Sequence, residues 1–167
     1  MSVTWREVSA PLRTLARWVA LVQVVGYTTS LVFVWHTTHL VPSGVAARYR
    51  GADPEAAPPG AALQFSKSLS EMLTITHTHL LSMAVIFTLT GVGIALCARL
   101  SERRKRLLIA EPFVALLVSF SAMWLMRYVD ARFGWLLEAS SALLAITFYL
   151  QSYLVLRELG RSEGKGP

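Results

Sequence analysis

Hydrophobic and polar positions divide the chain into four long apolar stretches separated by charged or proline-rich segments. With histidine counted as neutral, the charge-free runs are Trp18–Ala47, Met72–Ala98, Pro112–Met126 and Ala139–Leu156. Crossing the ~30 Å hydrocarbon core of a bilayer takes about 20 helical residues. The first two runs meet that length. The third reaches it by including Leu107–Ala110 and Glu111, the fourth by including Phe133–Leu137 and Glu138. The pattern predicts an all-α integral membrane protein, a single domain over residues 1–167 built as a four-transmembrane-helix bundle. The helices are expected near 15–39, 71–98, 107–130 and 133–157, with an outer loop at 41–68 and a basic inner loop at 99–106. The run Trp18–Trp35 exceeds the apolar region of a cleaved signal peptide, and no small-residue cleavage site follows it, so the first helix is expected to be retained.

Composition agrees. Apolar residues make up 54% of the chain and charged residues 16%, with a mean hydropathy of +0.49; a soluble domain would carry roughly a quarter charged residues. The loop at 41–68 concentrates Pro42, Pro54, Pro58 and Pro59 with Gly44, Gly51 and Gly60, the signature of an irregular connector, with a short interfacial turn at Val45–Arg50. One cysteine, Cys97, excludes an intramolecular disulfide and a cysteine-held metal cluster within one chain.

The net charge of +6 raises the question of nucleic acid, and the placement of the basic residues answers it. Eleven lie in the N-terminal segment, the 99–106 loop and the C-terminal tail; five (Arg48, Arg50, Lys67, Arg127, Arg132) lie at the other ends of the helices. The positive-inside rule predicts both termini in the cytoplasm. No basic surface interleaved with exposed aromatics exists to bind nucleic acid. An Arg/Ala-rich, compact multi-pass chain suits a bacterial inner (cytoplasmic) membrane.

Counting helical rise from the cytoplasmic basic residues brings His36, His39, His77 and His79, with Arg127 and Glu138, to about 28–33 Å, a common level at the outer face. Asp130 falls within a turn of it. Ionisable groups bordering a membrane interior tend to mark sites. Four histidines at one depth and none elsewhere are as compatible with a ligand set as with interfacial decoration. On the second helix, the small and polar series Ser70, Thr74, His77, Leu81, Ala84, Thr88, Gly91, Ala95 is expected to face the bundle. Comparable stripes are Gln23, Gly26, Thr29, Ser30, Phe33, His36 on the first helix, Ala115, Ser119, Ala122, Met126 on the third, and Glu138, Ser141, Ala145, Phe148, Ser152 on the fourth.

Three chemistries suit this layer. In the first, His36 and His77, with His39 and His79 as substitutes, ligate a non-covalent b-type haem, and Arg48, Arg50 and Arg127 pair with its propionates. In the second, His36 and His77, alternatively His39, His79, Asp130 and Glu138, hold one copper, zinc or iron ion. In the third, the chain binds no cofactor and serves as an accessory or scaffold subunit, with Arg127–Glu138 or Arg127–Asp130 as structural ion pairs. The bundle resembles small four-helix membrane cytochromes in helix number and histidine placement. The leading expectation is a haem b protein of respiratory electron transfer, partnered by the lipid bilayer, quinone and a periplasmic or membrane redox protein, within a larger complex or a homo-oligomer. No nucleophile–base pair or phosphate-binding loop supports a hydrolase or kinase.

Overall fold

The computed structural model describes residues 3–52 and 64–163. Five helices follow in order: α1 (Ala10–Thr38), α2 (Pro42–Arg50), α3 (Leu69–Ala95), α4 (Glu102–Tyr128) and α5 (Phe133–Glu163). α1, α3, α4 and α5 are long and apolar enough to cross a membrane, so the chain is a four-span bundle with the start of α1 and the end of α5 at one end. Part of the expected outer loop is the helix α2, longer than the turn expected at Val45–Arg50. The expected irregularity at Pro54, Pro58, Pro59 and Gly60 lies outside the described residues. α1 begins five residues earlier than expected and α4 takes in most of the basic loop, so Arg103–Arg106 are helical.

Local chemistry sets the boundaries. Pro11 and Pro42 stand in the first turns of α1 and α2, where a missing backbone N–H costs nothing. α1 ends where His39 and Leu40 both adopt left-handed backbone at φ 54°, a conformation disfavoured for any residue with a Cβ. The reversal is tight enough that a Cβ on Gly44 would collide with the Thr38 carbonyl. α3 opens on a capping box, with Ser68 N–H donating to Glu71 Oε2 at 2.8 Å and Glu71 N–H to Ser68 Oγ at 3.3 Å.

α4 and α5 form the most heavily packed pair, an antiparallel hairpin turned at Val129–Arg132. The small residues Ala115, Ser119 and Ala122 are buried as the periodicity predicted, and they let Phe148, Leu144 and Ser140 of α5 approach. α3 lies across both. It buries Met72, Phe87, Thr90, Gly91, Gly93 and Ile94; of the expected small and polar series Gly91 is buried and Ala84 half-buried, while Ser70, Thr74, His77, Leu81, Thr88 and Ala95 are exposed. α1 departs likewise. It packs on α5 through Tyr27 and also buries Ala20 and Thr38, the latter against Gly44 of α2, while Gly26, Thr29, Ser30, Phe33 and His36 are exposed. In both helices the large side chains fill the space that α4 and α5 leave, and small residues on the opposite face have nothing to approach.

Polar side chains stitch the helices together in the apolar interior. α4 runs through Pro112, which has no N–H to give the Leu108 carbonyl. The fully buried Gln151 of α5 supplies the missing donor, its Nε2 reaching Leu108 O at 2.6 Å, and its Oε1 accepts from the Thr90 hydroxyl of α3. One amide thereby joins three helices. Trp124 Nε1 donates to Thr76 Oγ1 at 2.9 Å between α4 and α3, and Ser119 Oγ to Ser140 Oγ at 2.8 Å between α4 and α5. α1 is held by Tyr27 stacked on Phe148 at 4.2 Å and by a 2.7 Å bond between Thr28 Oγ1 and Tyr149 Oη. A hydrogen bond between membrane helices contributes about 0.6–2 kcal/mol, and an aromatic pair about 0.5–1.5 kcal/mol.

Candidate functional site

The residues singled out from the sequence gather at the end of the bundle opposite the termini, but not as one converging set. His36 stands two residues before the end of α1 and His77 eight residues into α3, so about 3 Å and 12 Å of helical rise separate them from their helix ends. All four imidazoles are exposed on the surface of the chain. His79 Nδ1 lies 3.0 Å from the Ile75 carbonyl of its own helix. His39 is the left-handed residue that ends α1. Among the described residues no three histidine, cysteine or carboxylate side chains converge on a point.

The arginines are engaged with the chain's own backbone. Arg50 Nη1 donates to the Met126 carbonyl at 2.8 Å, and Arg127 Nε to the Lys67 carbonyl at 2.9 Å. Met126 O belongs to the last turn of α4, where carbonyls lack helical partners and the helix dipole favours a cation. Arg50 therefore fastens α2 over the end of α4, and Arg127 fastens the chain entering α3 beside it. Arg127 also lies 4.8 Å from the Tyr128 ring centre, and Arg48 5.2 Å from that of Phe33.

The carboxylates differ from the expected pairing. Asp130 is bound by Arg132, not Arg127: it accepts from Arg132 N–H at 2.8 Å and from the guanidinium at 3.0–3.1 Å. These hydrogen bonds hold the Asp130 carboxyl below the usual aspartate range. Glu138 makes no ion pair with Arg127, and its Oε1 is buried without a hydrogen-bond partner. Glu111 of α4, tolerated in the sequence reading only as a charge in a long apolar run, likewise has both carboxyl oxygens buried and unpartnered.

A cavity of about 360 Å³ opens between α2 and the start of α3, lined by Arg48, Gln64, Phe65, Ser66, Lys67 and Glu71. None of the histidines lines it. Lys67 is already paired with Glu71 at 2.7 Å, so the cavity offers mixed charge.

The face that helical periodicity misassigned is the uncovered side of α3. Thr74 Oγ1 bonds the Ser70 carbonyl at 2.9 Å and Ser82 Oγ the His79 carbonyl at 3.2 Å. The His77 ring and the Thr78 hydroxyl are exposed, and neither makes a hydrogen bond among the described residues. The signal was present as a run of Ser, Thr and His; what periodicity lacked was the neighbouring helices that decide which face is covered.

The fold and this face define a multi-pass membrane protein with a polar strip left open in one span. The chain belongs to the Aq_1264_TM family, a transmembrane helical domain whose family model matches residues 39–166. The match takes in α2 to α5 and leaves α1 outside. No curated protein and no solved structure matches the chain.

Proposed function

We propose that the chain is a cofactor-free accessory subunit of a membrane complex, joined to its partner through the outer half of α3. The observation that carries this reading is the exposed, unbonded pair His77 and Thr78 in a membrane-spanning helix. With a ~30 Å core centred on the 27 residues of α3, His77 lies about 7 Å inside the hydrocarbon. Lipid tails offer no hydrogen bond there. A partner helix with Ser, Thr, Asn or Gln side chains does, and such groups join membrane helices. The charge distribution supports a bacterial inner membrane with the termini in the cytoplasm.

Photo-crosslinking in native membranes tests this, with the crosslinker at Thr78 and, as a control, at Val25 on the lipid-facing side of α1. A protein adduct of defined mass from position 78 but not 25 is expected, and its mass tells a second copy from a different subunit. Lipid adducts alone at both positions would overturn the reading.

A second reading keeps the haem. His36 and His77 carry imidazoles that are exposed and free of hydrogen bonds among the described residues. Both rings lie exposed on the outside of the chain, and a b-type haem would take its second imidazole from the partner, serving electron transfer between quinone and an outer redox protein. A single metal ion shared with the partner is the analogous alternative. A reduced-minus-oxidised spectrum of the intact complex separates the readings. Sharp α and Soret bands lost in His77→Ala favour the cytochrome, and a blank spectrum with a retained crosslink favours the cofactor-free subunit.

A further inference from the structure

The end of the bundle that carries the termini is closed by a side chain from outside the helices. Trp5 is 5% exposed and packs with Ile94, Cys97, Val155 and Leu159. Its indole N–H donates to the Gly93 carbonyl at 3.0 Å, and its backbone N–H to the Leu96 carbonyl at 3.1 Å. Both acceptors lie at the C-terminal end of α3, where carbonyls run out of helical partners; the Cys97 amide, which would have served Gly93, turns to Ile94 instead. The N-terminal segment thus caps α3 in place of the helix's own continuation.

Little else holds that segment. Val3, Arg6, Glu7 and Ser9 are exposed and Val8 is half-buried. Among the described residues the segment's other hydrogen bonds are internal, Thr4 N–H to Glu7 Oε2 and Glu7 N–H to the Thr4 carbonyl. Cys97 packs with the indole, and Lys105 lies near enough to bear on its thiol. Cys97, 3% exposed, donates its thiol to the same Gly93 carbonyl at 3.4 Å. Lys105 is 5% exposed, with its ammonium 3.0 Å from a Glu102 carboxylate that is itself exposed. Lysine is almost never buried so fully without a partner, and here the partner reaches in from solvent.

We propose that residues Thr4–Val8 form a reversible latch. In the closed form Trp5 caps α3 and covers Cys97. In the open form Trp5 withdraws with the helices still in place, leaving the Gly93 and Leu96 carbonyls to water and presenting the Cys97 thiol to the compartment on the terminal side.

Cys97 is the sole cysteine of the chain, so thiol labelling reports on this end alone. With the full chain in membranes, N-ethylmaleimide is expected to label Cys97 at least about tenfold faster than the α5 core amides exchange, as local opening requires. Trp5→Ala should raise the labelling rate a further tenfold or so, and Trp5→Phe, which keeps the ring but not the N–H, by less. Amide exchange across Leu144–Val155 should be unchanged in both variants. Wild-type labelling no faster than core exchange would overturn the latch, since opening would then be global. So would wild-type labelling rates in Trp5→Ala with α5 still protected. If Trp5→Ala loosens α5 as well, the wild-type comparison and Trp5→Phe decide.

Discussion

α1 and α4 are of similar length, 29 and 27 residues, yet they sit in the molecule on different terms. α4 buries Lys105, Pro112, Ala115, Leu116, Ser119, Ala122, Met123 and Met126 along its whole length; α1 buries Ala20, Tyr27 and Thr38. α4 has small residues where α5 approaches, whereas α1 meets α5 chiefly through Tyr27, on Phe148 and Tyr149, and the bond between Thr28 and Tyr149. The family match follows the same line, taking in α2–α5 and stopping short of α1. In a bilayer, apolar surface gains little by moving from lipid to protein. Helix association there rests on close packing and satisfied polar groups, and α3–α5 have both in quantity. The lesson is that hydropathy makes a helix span, while only fit and hydrogen bonding make it belong to the core.

Paired glycine substitutions break this comparison most directly. A Cβ at Gly93 of α3 would come 2.6 Å from Val155 Cγ2, whereas one at Gly26 of α1 meets nothing within 4 Å. Valine is stiff at χ1 in a helix, so Val155 has little room to yield. Gly93→Val is therefore expected to cost about 3 kcal/mol, the upper end for overpacking, and Gly26→Val to stay within about 0.5 kcal/mol. Unfolding in mild detergent by steric trapping or mixed-micelle titration measures both. Equal losses would erase the distinction between the two helices.

A somewhat smaller effect tests the polar stitching. Gln151→Leu leaves the Leu108 carbonyl and the Thr90 hydroxyl without their interhelical partner, which should cost about 2 kcal/mol for buried groups left unpaired. Pro112→Ala returns a backbone N–H to the Leu108 carbonyl. The double variant should recover much of the loss, and a double-mutant cycle reads the coupling. An additive cycle would mean that Gln151 is not standing in for the proline's amide.

Much of the fold was legible because its determinants are local or periodic. Four charge-free runs gave four spans, and the Ala115, Ser119, Ala122, Met126 stripe gave the buried face of α4. The faces of α1 and α3 were not legible. Small residues mark a seam only when a neighbour closes on them, and these helices instead fill gaps with Tyr27, Met72 and Phe87. At the far end, residue type and depth suggested Arg48, Arg50 and Arg127 as anion partners. Two of these three hydrogen-bond backbone carbonyls, which a linear sequence does not reveal as free. Gln151 and Pro112 were separable signals, a lone amide and a lone proline in apolar runs, and only their juxtaposition gives them meaning.

The smallest expected effect is a pH dependence at the terminal end. Burial, with Glu158 nearby, pushes the Cys97 thiol up to about 11, against an opposing influence of Lys105. A thiol harder to ionise when folded than when unfolded contributes stability that is present below pH 9 and is lost as pH climbs towards 11. Alkaline melts of wild type and Cys97→Ala should therefore converge as pH rises through that window, because the variant has no thiol to ionise. Parallel curves would place the alkaline sensitivity elsewhere.

The amide that serves a proline makes two substitutions depend on their order. With Gln151 in place, position 112 can exchange proline for another residue without stranding the Leu108 carbonyl, because a donor is already at hand. With Pro112 in place, position 151 has no such freedom: a side chain that cannot donate strands a carbonyl in the apolar interior. A lineage can thus shed the proline first and the glutamine afterwards, whereas the reverse path crosses a destabilised intermediate. That asymmetry makes residue 151 the more constrained member of the pair, although residue 112 interrupts the helix.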